Sequence, residues 1–84
     1  MELALSKFVE KLLTQAKYEY DESVKRWAAW IDKLPGIYAQ GRSVEEVRRE
    51  LASILEEYVL IGIREGKQIP GFSFYRKKSY AKVR

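Results

Sequence analysis

The chain has 84 residues, of which 46% are hydrophobic and 33% are charged, a composition typical of one small folded domain. It contains neither cysteine nor histidine, which excludes disulfides, thiolate metal sites and the commonest general base, so we expect no enzyme activity, no metal and no cofactor. Five of its sixteen bases lie in residues 71–84 without any acid, so the net charge of +4 comes from this basic tail.

The first predicted element is an amphipathic helix over residues 3–16. Apolar residues recur at i, i+3, i+4 and i+7 spacing, namely Leu5, Phe8, Val9, Leu12, Leu13 and Ala16. Few bases lie on the polar side, which favours a helix that covers the protein's own core over one that lies on a membrane.

Three short strands are predicted next, over residues 16–20, 26–32 and 37–40, because aromatic and β-branched residues alternate there with polar ones. In the second strand Trp27, Ala29 and Ile31 fall on one face, and Ala28, Trp30 and Asp32 fall on the other. One tryptophan is therefore expected in the core and the other at a surface, and the alternative is that the two helices bury both. Leu34-Pro35-Gly36 and Gly41 are expected to set turns.

A second helix is predicted over residues 43–65, and a capping box marks its start. The Ser43 hydroxyl is expected to accept the N–H of Glu46, whose carboxylate should accept the N–H of Ser43. Residues 58–63 (YVLIGI) are apolar on all sides and continue the helical period. We expect this segment to be buried on more than one side and the protein to be at least a homodimer.

The basic tail carries two predictions. Residues 72–78 alternate in polarity and form a candidate edge strand. The same tail interleaves aromatic residues with bases, which is typical of nucleic-acid binding. The candidate nucleic-acid-binding residues are Arg76, Lys77, Lys78, Lys82 and Arg84.

Several segments together resemble the HicB antitoxin family over roughly residues 17–71. They are WAAWIDKLPG at 27–36, AQGRS at 39–43, Glu45-Glu46, and Ile69-Pro70. The resemblance implies a β-β-β-α-β unit similar to a truncated ribonuclease H fold. We therefore expect an α+β fold with a small, mainly antiparallel sheet of three or four strands, one main helix and an extra N-terminal helix. Residues 1–84 would form a single domain, with the edge strand or basic tail at 72–84.

The resemblance also implies a function, that of an antitoxin which binds and neutralises a small mRNA-cleaving toxin of the HicA type. The alternative is a small RNA- or DNA-binding protein that uses its basic tail. The N-terminus does not resemble a signal peptide, and no apolar run reaches the ~20 residues of a membrane span, so we expect a cytoplasmic protein without membrane contact.

The candidate partner-binding residues follow from the charge of such a toxin. A protein that cleaves mRNA presents a basic surface, so its inhibitor should offer acids. Trp30 is the predicted apolar anchor, Asp32 and the pair Asp21-Glu22 are the predicted charge partners, and Tyr38 on the neighbouring strand is their support. The alternative is that Trp30 packs under a helix and the acids are only solvated.

Overall fold

The computed structural model describes residues 2–67, which form two helices and three strands. In chain order these are α1 (Glu2–Leu13), β1 (Lys17–Asp21), β2 (Arg26–Trp30), β3 (Tyr38–Gly41) and α2 (Val44–Arg64). The expected α+β class is confirmed, and each described element begins and ends within three residues of its predicted bounds. The candidate edge strand at 72–78 lies outside the described residues.

The three strands form one antiparallel sheet in the order β1-β2-β3. Because side chains alternate along a strand and directly opposed residues share a face, the register divides the sheet into two faces. The inner face carries Tyr18, Tyr20, Trp27, Ala29 and Ala39, and the outer face carries Lys17, Glu19, Ala28, Trp30, Tyr38 and Gln40. The faces predicted for the second strand are therefore confirmed.

The inner face forms the core with both helices. α2 packs on β2 and β3, and α1 packs on α2. The buried apolar residues are Leu5, Phe8, Val9, Leu12, Leu13, Ala29, Ile31, Ala39, Val47, Leu51, Leu55 and Val59. The amphipathic pattern of residues 3–16 thus serves the core, as expected. Arg48 of α2 also lies 3.7 Å from the Glu10 carboxylate of α1, which links the exposed sides of the two helices.

A tight turn joins β1 to β2. The Asp21 carboxylate accepts hydrogen bonds from the backbone N–H of Ser23 at 3.0 Å and from its hydroxyl at 2.7 Å. Lys25 then adopts a φ of 56°, a left-handed conformation that non-glycine residues seldom adopt outside turns. The polar sequence DESVK at 21–25 therefore closes the hairpin by side-chain capping and by one strained backbone position.

The start of α2 corrects one detail of the predicted capping box. The Ser43 hydroxyl accepts the backbone N–H of Glu46 at 3.0 Å, as expected. The Glu46 carboxylate, however, accepts the backbone N–H of Arg42 at 2.7 Å and not that of Ser43. Ser43, the N-cap residue, has an extended backbone conformation. In this conformation the Glu46 carboxylate reaches the N–H of Arg42, the residue before the cap.

The two glycine positions expected to set turns differ in their roles. Gly36 has a φ of +92° in the β2–β3 connection, so it serves the turn as predicted. Gly41 has no positive φ; it is buried where β3 meets α2. A Cβ there would lie 3.0 Å from the backbone nitrogen of Val47, so the missing side chain permits a close approach rather than a turn.

Residues 58–63 are helical, as predicted, but they are buried on one side only. Val59 and Gly62 lie in the core, whereas Leu60 and Ile61 are 41% and 40% exposed. The core therefore leaves part of this segment uncovered within the described chain.

Neither helix in residues 2–67 has the length and apolarity needed to cross a membrane.

Candidate partner-binding surface on the outer sheet face

The outer face of the sheet is open across the described part of the chain. Both helices belong to the core on the inner face, and the outer-face residues are exposed or half-buried. Antiparallel sheets commonly present one such face to water. This face, however, carries two large aromatic residues, and such residues are enriched where proteins bind partners.

Trp30 occupies the central strand of the outer face. It is half-buried, and its indole Nε1–H donates to Oδ1 of Asp32 at 3.2 Å. The alternative in which Trp30 packs under a helix is wrong, because the helices lie on the other face. Trp27 takes that place instead: it packs against the core and meets Tyr20 edge-on, with ring centroids 5.4 Å apart.

Tyr38 lies directly opposite Trp30 on β3 and is 60% exposed. Lys17 lies opposite Trp30 on the other side, on β1. Directly opposed residues of adjacent strands have Cβ atoms only ~5 Å apart, so one row of side chains crosses all three strands. We call Lys17, Trp30 and Tyr38, with the linked Asp32, the aromatic row.

Lys17 is the member of the aromatic row that the sequence did not reveal. Its Nζ lies 2.6 Å from Oδ2 of Asp32 and forms a salt bridge with it. The hydrogen bond from Lys17, and then its positive charge, lower the pKa of Asp32 below its ordinary value. The acid predicted as a charge partner is therefore already compensated. Only the strand register, which sets Lys17 beside Trp30, identifies this lysine.

The pair Asp21-Glu22 lies at the other end of the hairpin. Asp21 pairs with Arg26, four positions along the ladder from Lys17 and Trp30, which corresponds to ~13 Å. Hydrogen bonds from Ser23 hold the pKa of the Asp21 carboxyl below its ordinary value. These two acids therefore belong to the exposed turn and not to the aromatic row.

The five basic residues proposed for nucleic-acid binding, Arg76 to Arg84, lie outside the described residues. Within residues 2–67, no group of three or more acidic side chains is arranged to hold a metal ion. The outer face presents two aromatic rings, those of Trp30 and Tyr38, together with the Gln40 amide and the Lys17–Asp32 ion pair.

Comparison with known proteins gives consistent matches. The family model described as UPF0150-like matches residues 7–70. A UPF0150 protein of Thermotoga maritima is 42% identical over 50 residues, which cover 60% of this chain and 65% of that relative. The alignment thus spans just under two thirds of the relative's length. The crystal structure of TTHA0281 from Thermus thermophilus has a TM-score of 0.75 at 27% identity, covering 83% of this chain and 92% of that one.

Proposed function

The chain belongs to the UPF0150-like family, and from this membership and the resemblance of its WAAWIDKLPG and AQGRS segments to HicB antitoxins we propose that it is an antitoxin-like protein. It binds and neutralises a small mRNA-cleaving toxin of the HicA type. The observation that carries the proposal is the aromatic row, which crosses an open sheet face on the side away from both helices.

The aromatic row supports a protein partner through its rigidity. The Trp30 indole is hydrogen-bonded to Asp32, and Asp32 is held by Lys17, so the ring is oriented before any partner arrives. A side chain that is already ordered loses less conformational entropy on binding. Trp30 therefore acts as the anchor, and Tyr38 extends the same apolar surface across β3.

The outer face is less acidic than the sequence predicted, because bases lie beside its acids. On this face the two bases Lys17 and Arg26 offset two of the three acids Glu19, Asp21 and Asp32, which leaves a net charge of −1. A nearly balanced surface selects its partner by shape and by local pairs more than by net charge. We therefore assign most of the affinity to the aromatic rings. We expect the dissociation constant to depend only modestly on salt concentration.

Calorimetric titration of the purified full chain into a purified HicA-type toxin tests this function, with inhibition of RNA cleavage as a second readout. Trp30→Ala should raise the dissociation constant by roughly 30- to 1,000-fold, the range for truncation of a desolvated anchor, and Tyr38→Ala should raise it less. Leu60→Ala, on α2 away from the sheet, is the control and should leave binding unchanged.

Two results would overturn the proposal at different levels. Native circular dichroism with unchanged affinity in both aromatic variants would place the interface elsewhere. Absence of any binding by the wild-type chain at ~100 μM, well above the dissociation constants of specific protein pairs, would reject the antitoxin function itself. Binding of RNA or DNA that disappears on removal of residues 72–84 would instead support the alternative function of the basic tail.

A further inference from the structure

A second row of side chains crosses the outer sheet face beside the aromatic row. Glu19 of β1 lies directly opposite Ala28 of β2, and Ala28 lies opposite Gln40 of β3. Each of the three is two residues along its strand from a member of the aromatic row, which corresponds to ~6.6 Å on the same face. We call Glu19, Ala28 and Gln40 the second row.

Glu19 carries the charge that the outer face leaves uncompensated. Asp32 forms a salt bridge with Lys17 at 2.6 Å, and Asp21 lies directly opposite Arg26. Glu19 is exposed and forms no ion pair with any other residue between 2 and 67. The net charge of −1 on this face is therefore located at Glu19, in the second row.

Ala28 leaves space between the two polar members of the second row. Neighbouring strands lie ~4.8 Å apart, so the backbones of Glu19 and Gln40 are ~10 Å apart across β2, with a single methyl group between them. Trp30 borders Ala28 on the same strand face. A flat group of a partner can consequently lie on Ala28 with a hydrogen-bond acceptor on either side and the indole next to it.

The group that fits this space is positively charged, planar and rich in N–H donors. A guanidinium has five N–H donors in one plane and can donate to the Glu19 carboxylate and to the Gln40 amide oxygen at once. It also stacks favourably on the face of a tryptophan ring. A lysine ammonium offers the charge but neither the plane nor the fork of donors.

We propose that the second row, together with Trp30, is a binding subsite for one arginine side chain of the protein partner. The inference rests on the proposed function, since a toxin that cleaves mRNA presents bases on the surface that its inhibitor covers. Glu19 thereby becomes the residue that selects this partner by charge. A nucleic acid does not fit the subsite, because Glu19 repels phosphate groups.

Calorimetric titration of the full chain into a purified HicA-type toxin tests the subsite. Glu19→Gln should raise the dissociation constant by about ten- to a hundredfold, because the desolvated guanidinium loses its counter-charge. Glu22→Gln is the matched control: it removes the same charge from the exposed β1–β2 turn and should change the constant by less than about twofold. Equal effects of the two variants would overturn the proposal.

The other end of the second row gives a test with a sign. Gln40→Glu sets a second acid beside the guanidinium, so this variant should bind the toxin at least as tightly as the wild type. Gln40→Lys sets a base there and should weaken binding by about tenfold. The reverse order of the two variants would overturn the proposal and would indicate a phosphate-rich ligand on this face.

A double-mutant cycle identifies the arginine on the toxin. One Arg→Ala variant of the toxin should bind the wild-type chain about tenfold or more weakly, yet bind Glu19→Gln less than about threefold more weakly than the unchanged toxin does. Absence of any arginine with this coupling would overturn the proposal. Absence of toxin binding by the wild-type chain would reject the proposed function as well, whereas tight binding that no Glu19 or Gln40 variant alters would reject the arginine subsite alone.

Discussion

Lys17 and Asp32 are 15 residues apart in the sequence, yet the Lys17 Nζ lies 2.6 Å from Oδ2 of Asp32. The second oxygen of the same carboxylate accepts the indole N–H of Trp30. One acid thus ties the first residue of β1 to the aromatic residue that ends β2. Both partners of the salt bridge are more than half exposed, so its effect is to orient Trp30 more than to stabilise the fold.

This link predicts how Asp32 titrates. Its pKa is lowered in the folded chain, so the stabilisation it provides is present above the ordinary value of 3.8 and is lost as pH falls through the folded pKa. Lys17→Met should raise the pKa of Asp32 toward 3.8, measured by ¹³C NMR of the carboxyl carbon. The pKa of Asp21, which Ser23 lowers, should not change and serves as the control. An unchanged pKa of Asp32 would contradict the role given to Lys17.

Leu51 tests the dependence of the fold on its small core. This side chain is fully buried in α2, and its truncation leaves a cavity. Leu51→Ala should lower the free energy of unfolding by about 2–5 kcal/mol, measured by urea denaturation. Leu60→Ala removes the same atoms from an exposed position of the same helix and should cost less than about 1 kcal/mol. Similar losses in the two variants would contradict the assigned face of α2.

Gly41 tests the close approach of β3 to α2. A methyl group there would lie 3.0 Å from the Val47 backbone nitrogen and 3.2 Å from Cγ of Glu46. Because the backbone of a helix moves only with the whole helix, Gly41→Ala should destabilise the fold by about 1–3 kcal/mol. Gln40→Ala, on the exposed outer face of the same strand, should change stability by less than about 0.5 kcal/mol. Thermal unfolding of the two variants measures both changes in stability. Equal changes would contradict the close approach of β3 to α2.

Ser43 tests the helix cap. Ser43→Ala removes the acceptor of the Glu46 N–H and should lower stability by about 1 kcal/mol, whereas Ser43→Asp keeps an acceptor and adds a negative charge at the helix N-terminus. We expect Ser43→Asp to retain nearly all of the stability in urea denaturation. If both variants lose the same amount, the hydroxyl does not act as a cap.

The elements of the fold could be read from local patterns because each pattern reflects a face turned toward the core. The spacing of Leu5, Phe8 and Leu12 predicted α1, and the unbroken period through residues 58–63 predicted the length of α2. Alternation in β2 also separated Trp27 from Trp30 correctly. These periods are visible in the sequence because each position on the buried face of a helix or strand carries an apolar residue.

The sequence predicted the grouping of Trp30 and Asp32 within one strand and that of Tyr38 on the neighbouring strand. Alternation placed Trp30 and Asp32 on a common side, and the hydrogen bond between them agrees with that placement. The grouping of Asp21 and Glu22 with these residues was an interpretation from charge alone, and the register separates them by the length of β1. The charges of Asp21 and Glu22 do not indicate how far these residues lie from Trp30. The sequence alone therefore could not reveal that they are separate from the aromatic row.

The sequence by itself determined the class of fold, the order of its elements, the cap at Ser43 and the side of β2 that carries Trp30, since each depends on neighbours a few residues away. Only the tertiary structure decided that Lys17 compensates Asp32, that Glu46 caps Arg42, and that Ile61 stays uncovered while Val59 is buried. Those outcomes depend on strand register and on where one helix lies against another. Contacts between distant residues of this kind follow from packing, which no local period encodes.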